Sequence, residues 1–280
     1  MKKILKNKLF IIASAVILTV GMFFFLRHQN NRIIVTEISV SSDKADGVRI
    51  VQLSDLHGKQ FGKDNEKLLD KIAALEPDLI LCTGDMFDVS GKNNDKTVNF
   101  TEALTGLAPT VWIAGNHEWD SDFHEEITRD LKSKGVTVLE NGTASFELNG
   151  GKVNVLGLDG LKGYYGGYVQ DIPALFAAFA ELPGFNIILS HYPENYDLPG
   201  GMGYAEHDFD LMFSGHAHGG QIRLPFIGGL FAPGQRWFPK YYSGIYDDRL
   251  IVSAGLGNSR FPFRLFNYPQ IVLVELRIES

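Results

Sequence analysis

Five short apolar runs in this sequence each end in residues that can bind a metal or move a proton. Val48-Arg49-Ile50-Val51-Gln52-Leu53 runs into Ser54-Asp55-Leu56-His57, and Leu79-Ile80-Leu81-Cys82 into Thr83-Gly84-Asp85. Val111-Trp112-Ile113-Ala114 leads to Gly115-Asn116-His117-Glu118, Asn186-Ile187-Ile188-Leu189 to Ser190-His191, and Asp210-Leu211-Met212-Phe213 to Ser214-Gly215-His216-Ala217-His218. Five of the eight histidines fall in these clusters: His57, His117, His191, His216 and His218. A lone Asp or His after a strand is ordinarily a turn residue. Five strand ends that all deliver carboxylates, imidazoles or an amide are hard to explain as turn chemistry. Mixed oxygen and nitrogen donors suit Mn²⁺, Fe or Zn²⁺ better than Ca²⁺ or Mg²⁺, which prefer oxygen alone. The clusters supply no Cys, against a structural zinc site. The donors are too many for one ion, so two divalent ions are expected.

The elements that must position these groups are legible from periodicity. Apolar runs of four to six residues, bounded by Gly or polar breaks, read as buried strands. Helical patterns lie between them. Lys63 to Glu76 carries Leu68, Leu69, Ile72 and Leu75 on one face and is ended by Pro77. Ser121 to Lys134 carries Phe123, Ile127 and Leu131 and stops at Gly135. Asp171 to Leu182 has Pro173 in its first turn. Ile33 to Val40 alternates as an edge strand does, and residues 136–160 and 271–276 read as hairpin and sheet. Strands alternating with helices give a wound α/β sheet. Its ligand crevice lies beyond the carboxyl ends of the strands, where all five clusters fall.

The N-terminal segment is of another kind. Leu9 to Leu26 is an uncharged, mostly apolar run of 18 residues, about 27 Å as a helix against a hydrocarbon core of ~30 Å. Lys2, Lys3, Lys6 and Lys8 precede it, and Arg27, His28 and Arg32 follow. No small-x-small cleavage site follows the run, so an uncleaved single-pass anchor is expected rather than a cleaved signal. The larger basic cluster puts the N-terminus in the cytoplasm and the remaining chain outside. The expected division is an anchor and polar linker over residues 1–32 and one domain over 33–280. That domain carries 20 basic and 33 acidic residues, which argues against nucleic acid as a partner. Cys82 is the single cysteine, so no internal disulfide forms, and its apolar neighbours make it a core thiol.

Asp55-x-His57, Gly84-Asp85-x-x-Asp88, Gly115-Asn116-His117-Glu118, His191 and Gly215-His216-x-His218 resemble, in order, the five motifs of the calcineurin-like metallophosphoesterases. The resemblance spans about residues 48–220 and is greatest to a bacterial membrane-anchored branch. It implies a four-layer α/β/β/α sandwich. It further implies one metal held by Asp55, His57 and His218, another by Asn116, His191 and His216, and Asp85 bridging the two. A hydroxide between the ions would attack phosphorus, His117 would stabilise or protonate the leaving oxygen, and Asp88 would orient His117. Asp88 also reads as a turn or cap residue. Asp55 and His57, like His216 and His218, are two apart, which on extended backbone turns both side chains to one side, whereas the adjacent Asn116 and His117 would diverge.

In the protein Ser/Thr phosphatases of this superfamily an Arg follows the second Asp and grips phosphate. Here Val89-Ser90-Gly91 follows Asp88, against a phosphoprotein substrate. The expected activity is metal-dependent hydrolysis of a phosphodiester or pyrophosphate, on a cell-envelope or lipid-linked substrate. Branches of the family hydrolyse the pyrophosphate of UDP-2,3-diacylglucosamine, the alternative, which conflicts with an outward-facing domain. An inactive metal-binding interaction module is the reading from another class, disfavoured because no ligand of the family is missing. Phe226, Ile227, Leu230, Phe231, Trp237, Phe238, Tyr241 and Tyr242 follow the last ligands, either as a core-covering loop or as an apolar rim facing lipid. Phe261 to Phe266 could join it. Arg223, Arg236, Arg260 and Arg264 are candidate phosphate contacts.

Overall fold

A computed structural model describes residues 2–158, 172–198, 202–258 and 261–278. Asp171, the 159–160 end of the expected hairpin and the candidate contact Arg260 lie outside the described residues. Among them, α1 (Lys2–Asn31) precedes β1 (Ile34–Ser41) and β2 (Arg49–Leu53). Next come α2 (Glu66–Ala73), β3 (Leu79–Thr83), α3 (Asn94–Thr105), β4 (Thr110–Ile113), α4 (Asn116–Trp119) and α5 (His124–Ser133). Then follow β5 (Thr137–Val138), β6 (Gly142–Leu148), β7 (Gly151–Leu158), α6 (Ile172–Ala180), β8 (Phe185–Ser190) and β9 (Leu211–Ser214). Two small ribbons, β10 (Arg223–Leu224) with β11 (Gly228–Gly229) and β12 (Phe231–Ala232) with β13 (Arg236–Trp237), lead to β14 (Gly244–Tyr246), β15 (Leu250–Val252) and β16 (Gln270–Arg277).

Two six-stranded sheets form, in the orders β1-β16-β2-β3-β4-β5 and β14-β15-β9-β8-β7-β6. β2, β3, β4 and β5 pair in parallel, as do β7, β8, β9 and β15. Their inner faces meet through Ile50, Leu79, Leu81, Val111 and Ile113 on one side and Val155, Ile187, Leu189 and Phe213 on the other. Buried on both faces, these strands read as continuous apolar runs. The outer face of the first sheet is covered by α2, α3 and α5 through Leu68, Ile72, Phe100, Leu104, Ile127 and Leu131. α6 covers the second through Phe176 and Phe179. The result is the four-layer α/β/β/α arrangement, with β1 on an edge as its alternation indicates. Cys82 is wholly buried, and burial pushes its thiol up to about 12.

Four elements differ from the sequence reading, the first being α2, which spans only Glu66–Ala73 and leaves Leu75 beyond its end. α3 was not legible: Asn94–Thr105 is rich in Asn and Thr, which favour turns and caps, and it is helical because Val98, Phe100 and Leu104 find the core. α5 starts at His124, so Phe123 precedes the helix and is exposed. The expected linker is also largely absent, because α1 continues to Asn31. No Gly or Pro interrupts Leu26 to Asn31, and the domain supplies partners for the last turn. Gln29, almost fully buried, donates to Tyr268 Oη at 3.1 Å. Asn30 Oδ1 accepts from Arg264 N at 3.0 Å and from Asn258 Nδ2 at 2.9 Å. Before that junction, the apolar stretch of α1 is unburied, with mean hydropathy 2.7, long and apolar enough to cross a membrane.

Candidate metal centre

All five polar clusters leave the carboxyl ends of parallel strands at one edge of the sandwich: β2, β3 and β4 from one sheet, β8 and β9 from the other. The two sheets are tied together there. Gln52 Nε2 donates to Thr83 Oγ1 at 3.0 Å and across the sandwich to Ser214 O at 2.8 Å. His216 N also crosses to Asp55 Oδ1 at 3.0 Å, while within the second sheet Gly215 N donates to His191 O at 3.0 Å.

The backbone at the donors is not extended, which corrects the expectation of pleat-driven convergence. Asp55, His57, Asp85, His216 and His218 all have positive φ, between 48° and 65°. A non-glycine residue in this left-handed region costs about 1–3 kcal/mol. The chain bends sharply after β2, β3 and β9, and there the bend rather than strand alternation aims the side chains inward. Asn116 and His117 open the short helix α4, so their side chains diverge by the turn of a helix. Two glycines admit the close approaches this needs. A Cβ on Gly115 would come within 2.2 Å of Asp85 Oδ1, and one on Gly215 within 1.9 Å of Ser54 Oγ.

The buried donors form two groups that share one carboxylate. Asp55, His57, Asp85 and His218 make one, and Asp85, His191 and His216 the other, with the potential ligand atoms of each within 4.8 Å of one another. His218 Nε2 lies 3.5 Å from Asp55 Oδ1, and His57 Nε2 lies 3.2 Å from His218 Nε2 and 3.7 Å from Asp85 Oδ2. In the second group His191 Nε2 is 3.4 Å from Asp85 Oδ2 and 3.2 Å from His216 Nδ1. Two ligands about 2.0–2.2 Å from a common cation, at 90–110°, stand roughly 2.8–3.6 Å apart. The observed spacings match or slightly exceed that range.

The protonation chemistry fits a cation as well. Burial pulls His57 down to about 4 and His216 to about 3, so both imidazoles are neutral and each carries a lone pair that a cation can take. Burial lifts Asp55 to about 6, a cost that a cation offsets. Burial opposes charge on His191 too, but Asp85 and Asp55 outweigh it and raise the ring to about 10. Asn116 Oδ1 is buried with no hydrogen-bond partner, as are Nδ1 of His57, His117 and His218. The arrangement can hold metal ions, with Asn116 Oδ1 at hand as a further oxygen donor.

Glu118 has a part that its place in the motif did not reveal. Its carboxylate is fully buried and accepts from Asp85 N at 2.9 Å, Phe87 N at 3.0 Å and Gly115 N at 2.8 Å. It thereby fastens the loop after β3 to the loop after β4 and fixes Asp85. His117 N donates to Asp85 Oδ1 at 2.8 Å. The His117 ring packs edge-on against His57, centroids 4.3 Å apart. Asp88 has a potential ligand atom within 4.8 Å of His57 and His117, and its Oδ1 accepts from Ser90 N at 2.9 Å, the turn role allowed by the sequence.

A cleft of about 560 Å³ opens over the cluster, lined by Asp85, Asn116, His117, His216, Phe231 and Asn258 among others. Arg264 does not reach it. It is fully buried and donates to Gly257 O at 2.9 Å and Ala254 O at 2.7 Å, bracing the loop after β15, whose Gly257 N bonds Asp55 O. Arg223 donates to Gly219 O at 3.0 Å and stacks on Tyr242. Arg236 is exposed outside the cleft lining. Arg223 and Arg264 are therefore not supported as phosphate contacts, because backbone carbonyls and a ring take their guanidinium groups.

Residues 48–220 match the calcineurin-like phosphoesterase family. The chain is 29% identical to an uncharacterized metallophosphoesterase of Bacillus subtilis (strain 168), YkuE, over 83% of this chain and 80% of that protein. It is 29% identical to the phosphodiesterase YaeI of Escherichia coli (strain K12), over 91% and 89%. A UDP-2,3-diacylglucosamine pyrophosphatase of Chlamydia muridarum (strain MoPn / Nigg), LpxG, is 26% identical over 80% and 74%.

Proposed function

The chain belongs to the calcineurin-like phosphoesterase family, and from that premise we propose a membrane-anchored, two-metal phosphoesterase that cleaves a phosphodiester or pyrophosphate bond. The observation that carries this is Asp85, whose carboxylate belongs to both buried donor groups. Asp55, His57 and His218 complete one position, Asn116, His191 and His216 the other, for Mn²⁺, Fe or Zn²⁺. Bound there, two ions supply a nucleophile at neutral pH and neutralise charge on the phosphoryl oxygens. His117 lines the cleft and donates to or stabilises the leaving oxygen, and Asp88, with a side-chain oxygen within 4.8 Å of its ring, orients it. The phosphodiesterase relative supports a diester. The pyrophosphatase relative supports a second reading, a nucleotide-linked lipid pyrophosphate. Purified full-length protein, stripped of metal and reloaded with Mn²⁺ or Zn²⁺, should hydrolyse bis(p-nitrophenyl) phosphate faster than p-nitrophenyl phosphate. Absence of metal-dependent turnover on diester, monoester and pyrophosphate alike would refute the enzymatic reading.

The four lysines before the apolar stretch of α1 outnumber the two arginines after it, so the N-terminus stays in the cytoplasm and the domain outside. Protease added to intact cells with an accessible outer surface should release the domain. Cleavage only after lysis would reverse the orientation and favour the nucleotide-lipid pyrophosphate.

A further inference from the structure

An apolar rim exposed to solvent adjoins the cleft at Phe231. Phe226 and Ile227 form the tip between β10 and β11, Trp237 and Phe238 lie at the end of the next ribbon, and Phe261 and Phe266 follow. All six are exposed, Phe226 at 109%. A cluster of this kind marks a surface that meets something apolar. Contacts connect it to the cleft and to α1. Phe231, a cleft residue, packs against Trp237 at 5.5 Å and Phe261 at 6.3 Å between ring centroids. Phe266 packs against Phe25 at 6.1 Å, and Phe25 belongs to the last apolar turn of α1.

Depth along α1 decides what the rim meets. The apolar run ends at Leu26, followed by Arg27, so Phe25 and Phe266 stand at the boundary of the hydrocarbon. Asn30 lies five residues further, about 7.5 Å along the axis of an upright helix and less if it tilts. Asn30 Oδ1 is bonded to Asn258 Nδ2 at 2.9 Å, and Asn258 lines the cleft. A headgroup layer is roughly 5–8 Å deep on each side of a bilayer. That wall of the cleft therefore stands at the depth of lipid phosphates. The junction is firm: Gln29 is buried, Arg264 N holds Asn30, and Lys59 Nζ donates to Asn30 O. Arg236, exposed beside Trp237, adds positive charge where anionic headgroups lie, and Trp at an interface is the usual membrane anchor.

We propose that this rim docks on the bilayer from which α1 emerges, so that the metal cluster receives the phosphoester headgroup of a membrane-resident amphiphile. The substrate class rests on the phosphoesterase reading; the docking does not. The chain has three tryptophans, Trp112, Trp119 and Trp237, and Trp112 is fully buried. Full-length protein should be placed in nanodiscs of phosphatidylcholine and phosphatidylglycerol with brominated acyl chains. Bromolipid should quench a fluorescence component that disappears in Trp237→Phe. Quenching of that component by aqueous iodide instead, or its protection from both quenchers only in discs holding two copies, would overturn the docking in favour of water or a second chain. Phe226→Ser with Ile227→Ser should lower turnover of a disc-embedded nitrophenyl lipid phosphodiester about tenfold relative to bis(p-nitrophenyl) phosphate in water. An equal effect on both esters would overturn the substrate class. Failure of the unaltered chain to cleave either ester would sink the phosphoesterase reading, with docking still judged by fluorescence.

Discussion

Asp85→Asn should empty both metal positions rather than one. Asp85 Oδ2 lies 3.7 Å from His57 Nε2 and 3.4 Å from His191 Nε2, one nitrogen from each donor group. The amide keeps the shape but removes the one negative charge both positions share, and presents a donor where a lone pair is needed. Backbone support should survive, because Glu118 grips Asp85 through its main-chain N–H. Metal-supplied stabilisation amounts to several kcal/mol, so turnover should fall by more than about 10³. Elemental analysis should find the content falling from two ions toward none. Two tightly retained ions in the variant would remove the bridging role, and retention of one would confine Asp85 to a single position.

His117→Ala should separate rate from metal content. The side chain belongs to neither of the two groups that share Asp85, while its backbone N–H on Asp85 Oδ1 is preserved in alanine. Loss of a general acid should cost roughly 10²–10⁴ in kcat with both ions retained. The loss should shrink for p-nitrophenolate, a leaving group that needs little protonation, and be largest for an alkyl ester. An equal loss across leaving groups would restrict the ring to stabilising charge. A loss of metal would make it a ligand, consistent with its closeness to His57 and Asp88.

The sequence by itself determined the candidate donors, their order along the chain and their place at strand ends. Those facts depend on local patterns: apolar runs that must be buried, and polar residues where each run stops. The same patterns marked the apolar helix, the strands β1, β2, β3, β4, β8, β9 and β16, and a buried Cys82. The layered α/β/β/α fold came from motif resemblance, and the two packed sheets agree with it. Only the tertiary structure decided how the donors converge. Left-handed backbone at Asp55, His57, Asp85, His216 and His218 is imposed by bonds between distant segments, such as His57 N to Asp85 O and His216 N to Asp55. Glu118 shares a motif with Asn116 and His117, yet its partner Asp85 N lies 33 residues away. Arg264 looked like a phosphate contact because an arginine's charge is visible in sequence and its burial is not. The helical junction at Gln29 and Asn30 was hidden for a similar reason. Short polar residues after an apolar run read as a linker, and only the distant Tyr268, Asn258 and Arg264 give them partners that keep the helix intact.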